Sequence, residues 1–457
     1  MKNSRKMPPP ANDKFFKSEM VSPGYSMKKV AVTTLGCKTN QFESAAIAES
    51  VRNKGFMIVP FTDFADIYII NTCTVTAKSD AESRRLIRRA RRQNSCARIV
   101  VTGCYAQLAY EEIRHFPGVS HVLGNNEKKG IAGLLEKIED EQVVMVSGFT
   151  RDQQVDGVIL ETFAEHTRAF LQVQNGCDAF CSYCIVPYVR GPSRSVTLDD
   201  AVEGVRTFAE KGFKEVVLTG IHLGMYGHDL NPATSLLDLL CAIEKRSSIT
   251  RLRIGSLEPG EISDGLIDYL STSGMCCPHL HIPLQSGDDQ VLSRMNRHYT
   301  TRFYHDVIER LLKAVPDICI GTDVIVGFPG ESEREFENTL SYLESLPLAY
   351  FHVFPFSPRE QTPAAKMPEK VHGSVIKERV KTLRKVSDDK KEAYFKKFLG
   401  RELKVLVQEK GPGGSFKGLS RNYIPVLMTG NDCSINSEVR VKVREITQDC
   451  VCCDVVG

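Results

Sequence analysis

Apolar and polar positions follow three successive rhythms along this chain. From Met27 to about residue 140, β-branched runs alternate with stretches of helical period. Lys29-Val-Ala-Val-Thr-Thr34 precedes a helical pattern over Glu43–Lys54 that stops at Gly55. Ile67-Tyr-Ile-Ile-Asn71 precedes another over Ala81–Gln93, and Arg98-Ile-Val-Val-Thr102 one over Leu108–Arg114. Alternation of this kind predicts parallel βαβ units in an α/β domain. After a mixed connection over 141–165 the strand–helix rhythm resumes. Six strand candidates recur: Ala169–Gln174, Glu215–Thr219, Arg251–Gly255, His279–Pro283, Cys319–Val326 and Tyr350–Phe354. Helical patterns at Leu198–Lys211, Leu236–Lys245, Arg302–Ala314 and Ser332–Leu346 separate them. Six such units predict a parallel barrel short of the eight strands that close a full one.

The third rhythm starts at Ser374. Ile376, Val380 and Leu383 form one stripe of a helix over Ser374–Phe395, with lysines opposite. After Gly400 come short strands at Leu403–Gln408, Ile424–Met428, Val439–Val443 and Cys450–Val456. Turns at Gly411-Pro-Gly-Gly414 and Gly430-Asn-Asp432 punctuate them, which predicts a small OB-like β-barrel. The expected division is an extension (1–26), an α/β domain (27–140), a barrel domain (160–373), a linker helix (374–396) and a C-terminal β-barrel (397–457).

Composition narrows the class. With 457 residues, 42% apolar and 25% charged positions, the chain reads as two or three globular domains. No apolar run approaches the roughly 18 residues of a membrane span, so no membrane partner is expected. The first 26 residues are polar and Pro-rich with no apolar h-region, and read as a disordered extension rather than a signal. Net charge is only +3, so bulk charge does not argue for nucleic acid. Fifteen cysteines without a signal peptide fit a reducing cytoplasm and metal-bound thiolates better than a disulfide framework.

Six of those cysteines stand where chemistry is expected. Asn175-Gly-Cys177-Asp-Ala-Phe-Cys181-Ser-Tyr-Cys184 follows the first barrel strand. Three thiolates so spaced can wrap one face of a [4Fe–4S] cluster and leave one iron open. Zinc is the alternative, but it favours four protein ligands, and no fourth cysteine or histidine stands nearby. Cys37, Cys73 and Cys104 each follow one of the first three strands, in Leu35-Gly-Cys-Lys-Thr-Asn-Gln41, Asn71-Thr-Cys-Thr-Val-Thr76 and Thr102-Gly-Cys-Tyr-Ala106. The carboxyl ends of parallel strands share one edge, so these thiols converge. Buried packing would explain one such cysteine more easily than three at equivalent places.

The Cys177–Cys184 spacing resembles the signature of the radical S-adenosylmethionine (SAM) enzymes, and the six cysteines together resemble the radical SAM methylthiotransferases. The phrases around Cys37 and Cys73 are most similar to the branch acting on N6-threonylcarbamoyladenosine in tRNA. Sister branches modify isopentenyladenosine in tRNA or an aspartate of a ribosomal protein. The resemblance implies two [4Fe–4S] clusters, SAM as radical source and methyl donor, and methylthiolation at carbon 2 of adenosine 37, in the anticodon stem-loop. It also implies an external electron donor of flavodoxin or ferredoxin type, a sulfur source, and a C-terminal TRAM domain. A cluster-bearing RNA-binding or electron-transfer protein without SAM chemistry is the rival class; it would need a fourth ligand at each cluster.

Further candidates follow from position. The strand ends Thr219-Gly220, Ser256-Leu-Glu258, Gln285-Ser-Gly287 and Gly327 fall where barrel chemistry sits. Gly220 lets a backbone approach closely, while Ser256, Glu258 and Gln285 can hydrogen-bond SAM. Thr219-Gly220-Ile221 stands where many radical SAM enzymes carry Gly-Gly-Glu, which puts the amino-group contact in doubt. Tyr183 is placed to stack on adenine. Arg190 suits the SAM carboxylate or a phosphate, and equally a loop salt bridge. Arg84, Arg88 and Arg92, with three more arginines on the helix from Ala81, suit RNA phosphates or plain solvent. Within Gly418-Leu-Ser-Arg421-Asn-Tyr423, the resemblance assigns Arg421 to phosphate and Tyr423 to base stacking. Cys276, Cys277, Cys450, Cys452 and Cys453 read as packing residues.

Overall fold

The computed structural model describes residues 27–136, 141–151, 153, 155, 167–430 and 433–456. The expectations for 1–26, for 156–165 of the connection and for the turn at Asn431-Asp432 lie outside the described residues.

The first unit is a six-stranded parallel sheet: β1 (Lys29–Thr34), β2 (Met57–Val59), β3 (Ile67–Thr72), β4 (Arg98–Gly103), β5 (Val119–Leu123) and β6 (Val143–Met145), in spatial order β2-β1-β3-β4-β5-β6. Strands β3 and β4 are almost wholly buried, as their unbroken apolar runs require. Three of the six strands had no counterpart in the sequence pattern. β2 and β6 are three-residue edge strands, and Ser120 and His121 interrupt the apolar run of β5.

The helices after β1, β3 and β4 also begin earlier than their apolar periodicity. They are α1 (Lys38–Asn53), α2 (Ala77–Gln93) and α3 (Cys104–Ile113). The first turns of α1 and α2 are polar or small, which hides the period. Thr76 caps α2 by accepting from the Ser79 amide at 3.2 Å.

The second unit carries β7 (Arg168–Gln172), β8 (Glu215–Thr219), β9 (Arg251–Ile254), β10 (His279–His281), β11 (Cys319–Val326) and β12 (Tyr350–Pro355). They form two parallel triplets, β9-β8-β7 and β10-β11-β12, joined by bridges Leu252–Cys276 and Ser256–His281. This is the open, six-stranded barrel that the pattern predicted. α1 docks on it, with Phe42 inside the barrel's apolar core.

The linker helix, Gly373–Lys396, leads to a closed barrel of β13 (Glu402–Lys410), β14 (Phe416–Ser420), β15 (Pro425–Thr429), β16 (Glu438–Ile446) and β17 (Val451–Val456). β14 has no counterpart among the strands read from the sequence: Gly418 and Leu419 pair with Val407 and Leu406. Among the described residues no helix is long and apolar enough to cross a membrane.

Two buried ion clusters fasten the units together. Glu43 of α1 pairs with Arg190 at 2.8 Å and with Lys128. Burial alone would raise the Glu43 carboxyl, but the two cations outweigh it and hold it at about 2. Glu215 is likewise held at about 2, against burial, by Arg253 and Arg251.

Because these folded values lie below the unfolded value near 4.5, the stabilisation is complete above pH ~4.5 and is lost as pH falls toward ~2. For Glu43 it amounts to about 3 kcal/mol. Urea unfolding followed from pH 7 to pH 3 checks this: the advantage of the wild type over Glu43→Gln shrinks steadily below pH ~4.5.

Candidate active site

The order β1-β3-β4 places the three strands that precede Cys37, Cys73 and Cys104 side by side. All three thiols border one cavity of about 520 Å³. Cys37 is the N-cap of α1 and Cys104 the first residue of α3, so both sit at the positive end of a helix dipole. Gly103 has φ +98°, and a Cβ there would lie 2.4 Å from the Thr72 carbonyl, so glycine is needed to bring Cys104 up to the Cys73 loop. Burial, together with the adjacent Cys104 and Cys37, pushes the Cys73 thiol above its ordinary value.

The opposite wall of the same cavity is made by the carboxyl ends of the barrel strands and by Ile185 and Val186, which follow Cys184. The loop over Cys177–Cys184 is tightly held. Gly176 has φ +76°, and a Cβ would fall 1.8 Å from the Pro192 carbonyl oxygen. The Cys177 amide donates to Gly191 O at 3.0 Å and the Ser182 amide to Met295 O at 3.0 Å. The Ala179 amide donates to Cys177 Sγ at 3.4 Å. Burial pushes the Cys184 thiol up to about 12, with the neighbouring Cys181 and Cys177 adding to the rise. A thiol so placed loses its proton when a metal takes it.

Among the described residues no three His, Cys, Asp or Glu side chains close around a single ion; a cubane instead offers each thiolate a different iron. All six thiols are free, and an all-sulfur donor set suits iron–sulfur chemistry. Both triads therefore fit such a group.

Residues 29–124 match the Uncharacterized protein family UPF0004, and residues 171–343 the Radical SAM superfamily. A threonylcarbamoyladenosine tRNA methylthiotransferase of Bacillus subtilis (strain 168) is 38% identical over 424 residues, spanning 91% of this chain and 94% of that protein. The chain belongs to the radical SAM tRNA methylthiotransferases. A tRNA-2-methylthio-N(6)-dimethylallyladenosine synthase of Acetivibrio thermocellus is 32% identical, over 92% of this chain and 89% of that protein. Among solved structures, the radical SAM methyltransferase TsrM of Kitasatospora setae shares the fold, with TM-score 0.52 at 15% identity over 74% of this chain and 75% of that one. A radical SAM enzyme uses SAM and a [4Fe–4S] cluster.

Within this methylthiotransferase the other site candidates fare unevenly. Ser256 is exposed at the cavity wall and Gly220 lines it. The amides beyond Gly220 are not free, because those of Ile221 and His222 both donate to Gln174 Oε1, at 2.9 and 2.8 Å. Gln285 holds φ +68° and is bridged to Val324 on β11, a backbone state uncommon for non-glycine residues. Tyr183 packs beside Val291, Met295 and Phe328. Glu258 is paired with Arg297, whose Nη1 also donates to Cys181 Sγ at 3.3 Å.

Three of the candidates find partners within this chain, Arg190 in the salt bridge that the sequence left open. Arg190 is 1% exposed and bonds Glu43, Asn40 (2.5 Å) and Asn175 (2.9 Å). All of these are groups of this chain, so its charge and geometry are spent on joining the units. Arg421 donates to Glu438, Thr250 O and Gly274 O, and Tyr423 stacks on His279 with ring centroids 4.0 Å apart beneath the Arg253 guanidinium. Both residues thus contact the chain's own barrel domain, and Tyr423 also lines the cavity. Arg84 is engaged with Tyr105 at 2.8 Å, while Arg88 and Arg92 remain exposed on α2. Cys276, Cys277 and Cys453 are buried packing residues.

Residues that sequence reasoning passed over act through contact. His222 reaches Cys177 Sγ at 3.5 Å and Glu261 at 2.6 Å. Against burial, these two partners raise it to about 10. Arg359, from the loop after β12, donates to Thr74 and Asp80 and so holds the Cys73 loop. Nothing local marks either residue.

Proposed function

We propose that this protein inserts a methylthio group at carbon 2 of N6-threonylcarbamoyladenosine 37 of tRNA, using SAM and two [4Fe–4S] clusters, one on Cys177, Cys181 and Cys184 and one on Cys37, Cys73 and Cys104. The observation that carries it is the single cavity with one cysteine triad on its α/β wall and the barrel's strand ends opposite. When bound, SAM and its cluster supply one-electron hydrogen abstraction from a carbon that polar chemistry does not activate. The chain sets the Cys37, Cys73 and Cys104 triad across the cavity from Ile185 and Val186, which follow Cys184, and steadies Cys181 through Arg297 and Cys177 through His222.

Exposed Arg88 and Arg92 are placed to meet phosphates of the anticodon stem-loop. An external electron donor of flavodoxin or ferredoxin type and a sulfur source complete the reaction, in the cytoplasm, where tRNA is found. The threonylcarbamoyl branch is favoured by the higher identity to its relative, 38% against 32% for the dimethylallyladenosine enzyme.

Expression in a bacterial host lacking its own threonylcarbamoyladenosine methylthiotransferase tests the reading by mass spectrometry of tRNA nucleosides. The expected result is 2-methylthio-N6-threonylcarbamoyladenosine where the host alone has none. Product confined to isopentenyladenosine, or to a ribosomal-protein aspartate, would sink it.

A further inference from the structure

Beneath the cavity bordered by Cys37, Cys73 and Cys104, positive charge exceeds the carboxylates at hand, and Asp323 on the cavity wall is paired with His281 at 3.1 Å. Arg251 and Arg253 share Glu215, with Nε–O distances of 2.8 and 2.9 Å, and Arg168 lies 3.8 Å from the same carboxylate. Glu438 is divided between Arg251 at 2.6 Å and Arg421 at 2.9 Å. Lys38, the residue after Cys37, lines this cavity and lies close enough to Arg168 and Arg253 for their charges to oppose its own. Among the described residues its ammonium has no hydrogen-bond or ion-pair partner. Glu215, the carboxylate that acts on it, is already taken by Arg251 and Arg253. Buried cations in excess of anions are costly unless a further anion arrives.

A second group points to the same place. His279 is 3% exposed, lines the cavity, and stands near both Lys38 and Arg253. Its Nε2 lies 3.2 Å from Tyr350 Oη, whereas its Nδ1 is buried without a partner. If the tyrosine hydroxyl donates to Nε2, Nδ1 carries the proton and is a donor with nothing to receive it. An unpaired ammonium and an unpaired ring N–H at one floor make a site for a carboxylate.

We infer that Lys38, with His279 beside it, binds the threonine carboxylate of the N6 substituent and so distinguishes threonylcarbamoyladenosine from adenosines with uncharged N6 groups. This rests on the function proposed above. The substrate carries one carboxylate, on the threonine, and isopentenyladenosine carries none. Lys38 therefore acts on specificity: it contacts the substrate's tail, remote from carbon 2.

Binding to the reconstituted holoenzyme tests this with three anticodon stem-loop RNAs, carrying threonylcarbamoyladenosine, its neutral threonine-amide counterpart, or isopentenyladenosine. The wild type is expected to bind the acid about 10- to 100-fold more tightly than the amide, the range for a hydrogen bond to a charged group. Lys38→Gln loses most of that preference and Lys38→Arg keeps most of it. Iron content, measured on each variant, separates this from damage at Cys37. Should Lys38→Gln lose iron, the wild-type comparison of acid with amide decides alone.

Equal binding of acid and amide by a wild type that methylthiolates the acid RNA overturns the inference and leaves the function standing. Equal weakening of both RNAs in Lys38→Gln assigns the lysine to a phosphate and overturns it too. Methylthiolation of the isopentenyladenosine RNA alone removes the function itself.

Discussion

The Cys37/Cys73/Cys104→Ala protein is expected to hold about four irons after anaerobic reconstitution, where the wild type holds about eight, the content of one and two four-iron clusters. It should still cleave SAM to 5′-deoxyadenosine, and it should form no methylthio product. The separation follows from the architecture. The three N-terminal thiols hang from a sheet with its own apolar core on both faces, while the loop over Cys177–Cys184 is fixed by the barrel through Gly191, Met295 and Arg294. Removing three sulfur atoms at the sheet edge withdraws ligands from one triad and no hydrogen bond from the other. About four irons in both proteins would remove the second cluster and reduce the protein to a radical SAM enzyme of unassigned product.

Arg190→Gln should have the next largest effect. The guanidinium reaches Asn40 and Glu43 on α1 and Asn175 two residues before Cys177. It therefore ties the segment after Cys37 to the segment before the radical SAM triad. Without it Glu43, 12% exposed at its side chain, keeps only Lys128. Breaking a buried pair from one side costs about 3–5 kcal/mol. Two readouts are expected to move: a lower unfolding midpoint, and more 5′-deoxyadenosine formed per methylthio product, because the two walls of the cavity lose their fixed separation. The pair Glu43→Gln/Arg190→Gln should lose less than the sum of its parts, since neither charge is then left alone. Unchanged stability and unchanged coupling in Arg190→Gln would show that docking depends on the apolar contacts of Phe42 instead.

Much of this protein is written in short-range pattern. The apolar runs of β3 and β4 and the cysteines after β1, β3 and β4, two of them preceded by glycine, can be read residue by residue, because burial on both faces and tight turns impose local demands on side chains. The same locality failed at the edges. β2 and β6 offer only three residues each, and the polar first turn of α1 concealed that Cys37 stands at a helix N-terminus.

By itself, then, the sequence determined the three-part order of the chain, the parallel strands and the convergence of two cysteine triads. Only the tertiary structure decided what the charged and aromatic residues do. Arg190 meets a glutamate 147 positions away, Arg421 and Tyr423 turn toward the barrel, and Lys38 is left without a partner beside a doubly used carboxylate. Periodicity reports whether a side chain is buried, through the spacing of its own element. Which opposite charge it finds there depends on how distant elements dock, and no local spacing carries that information.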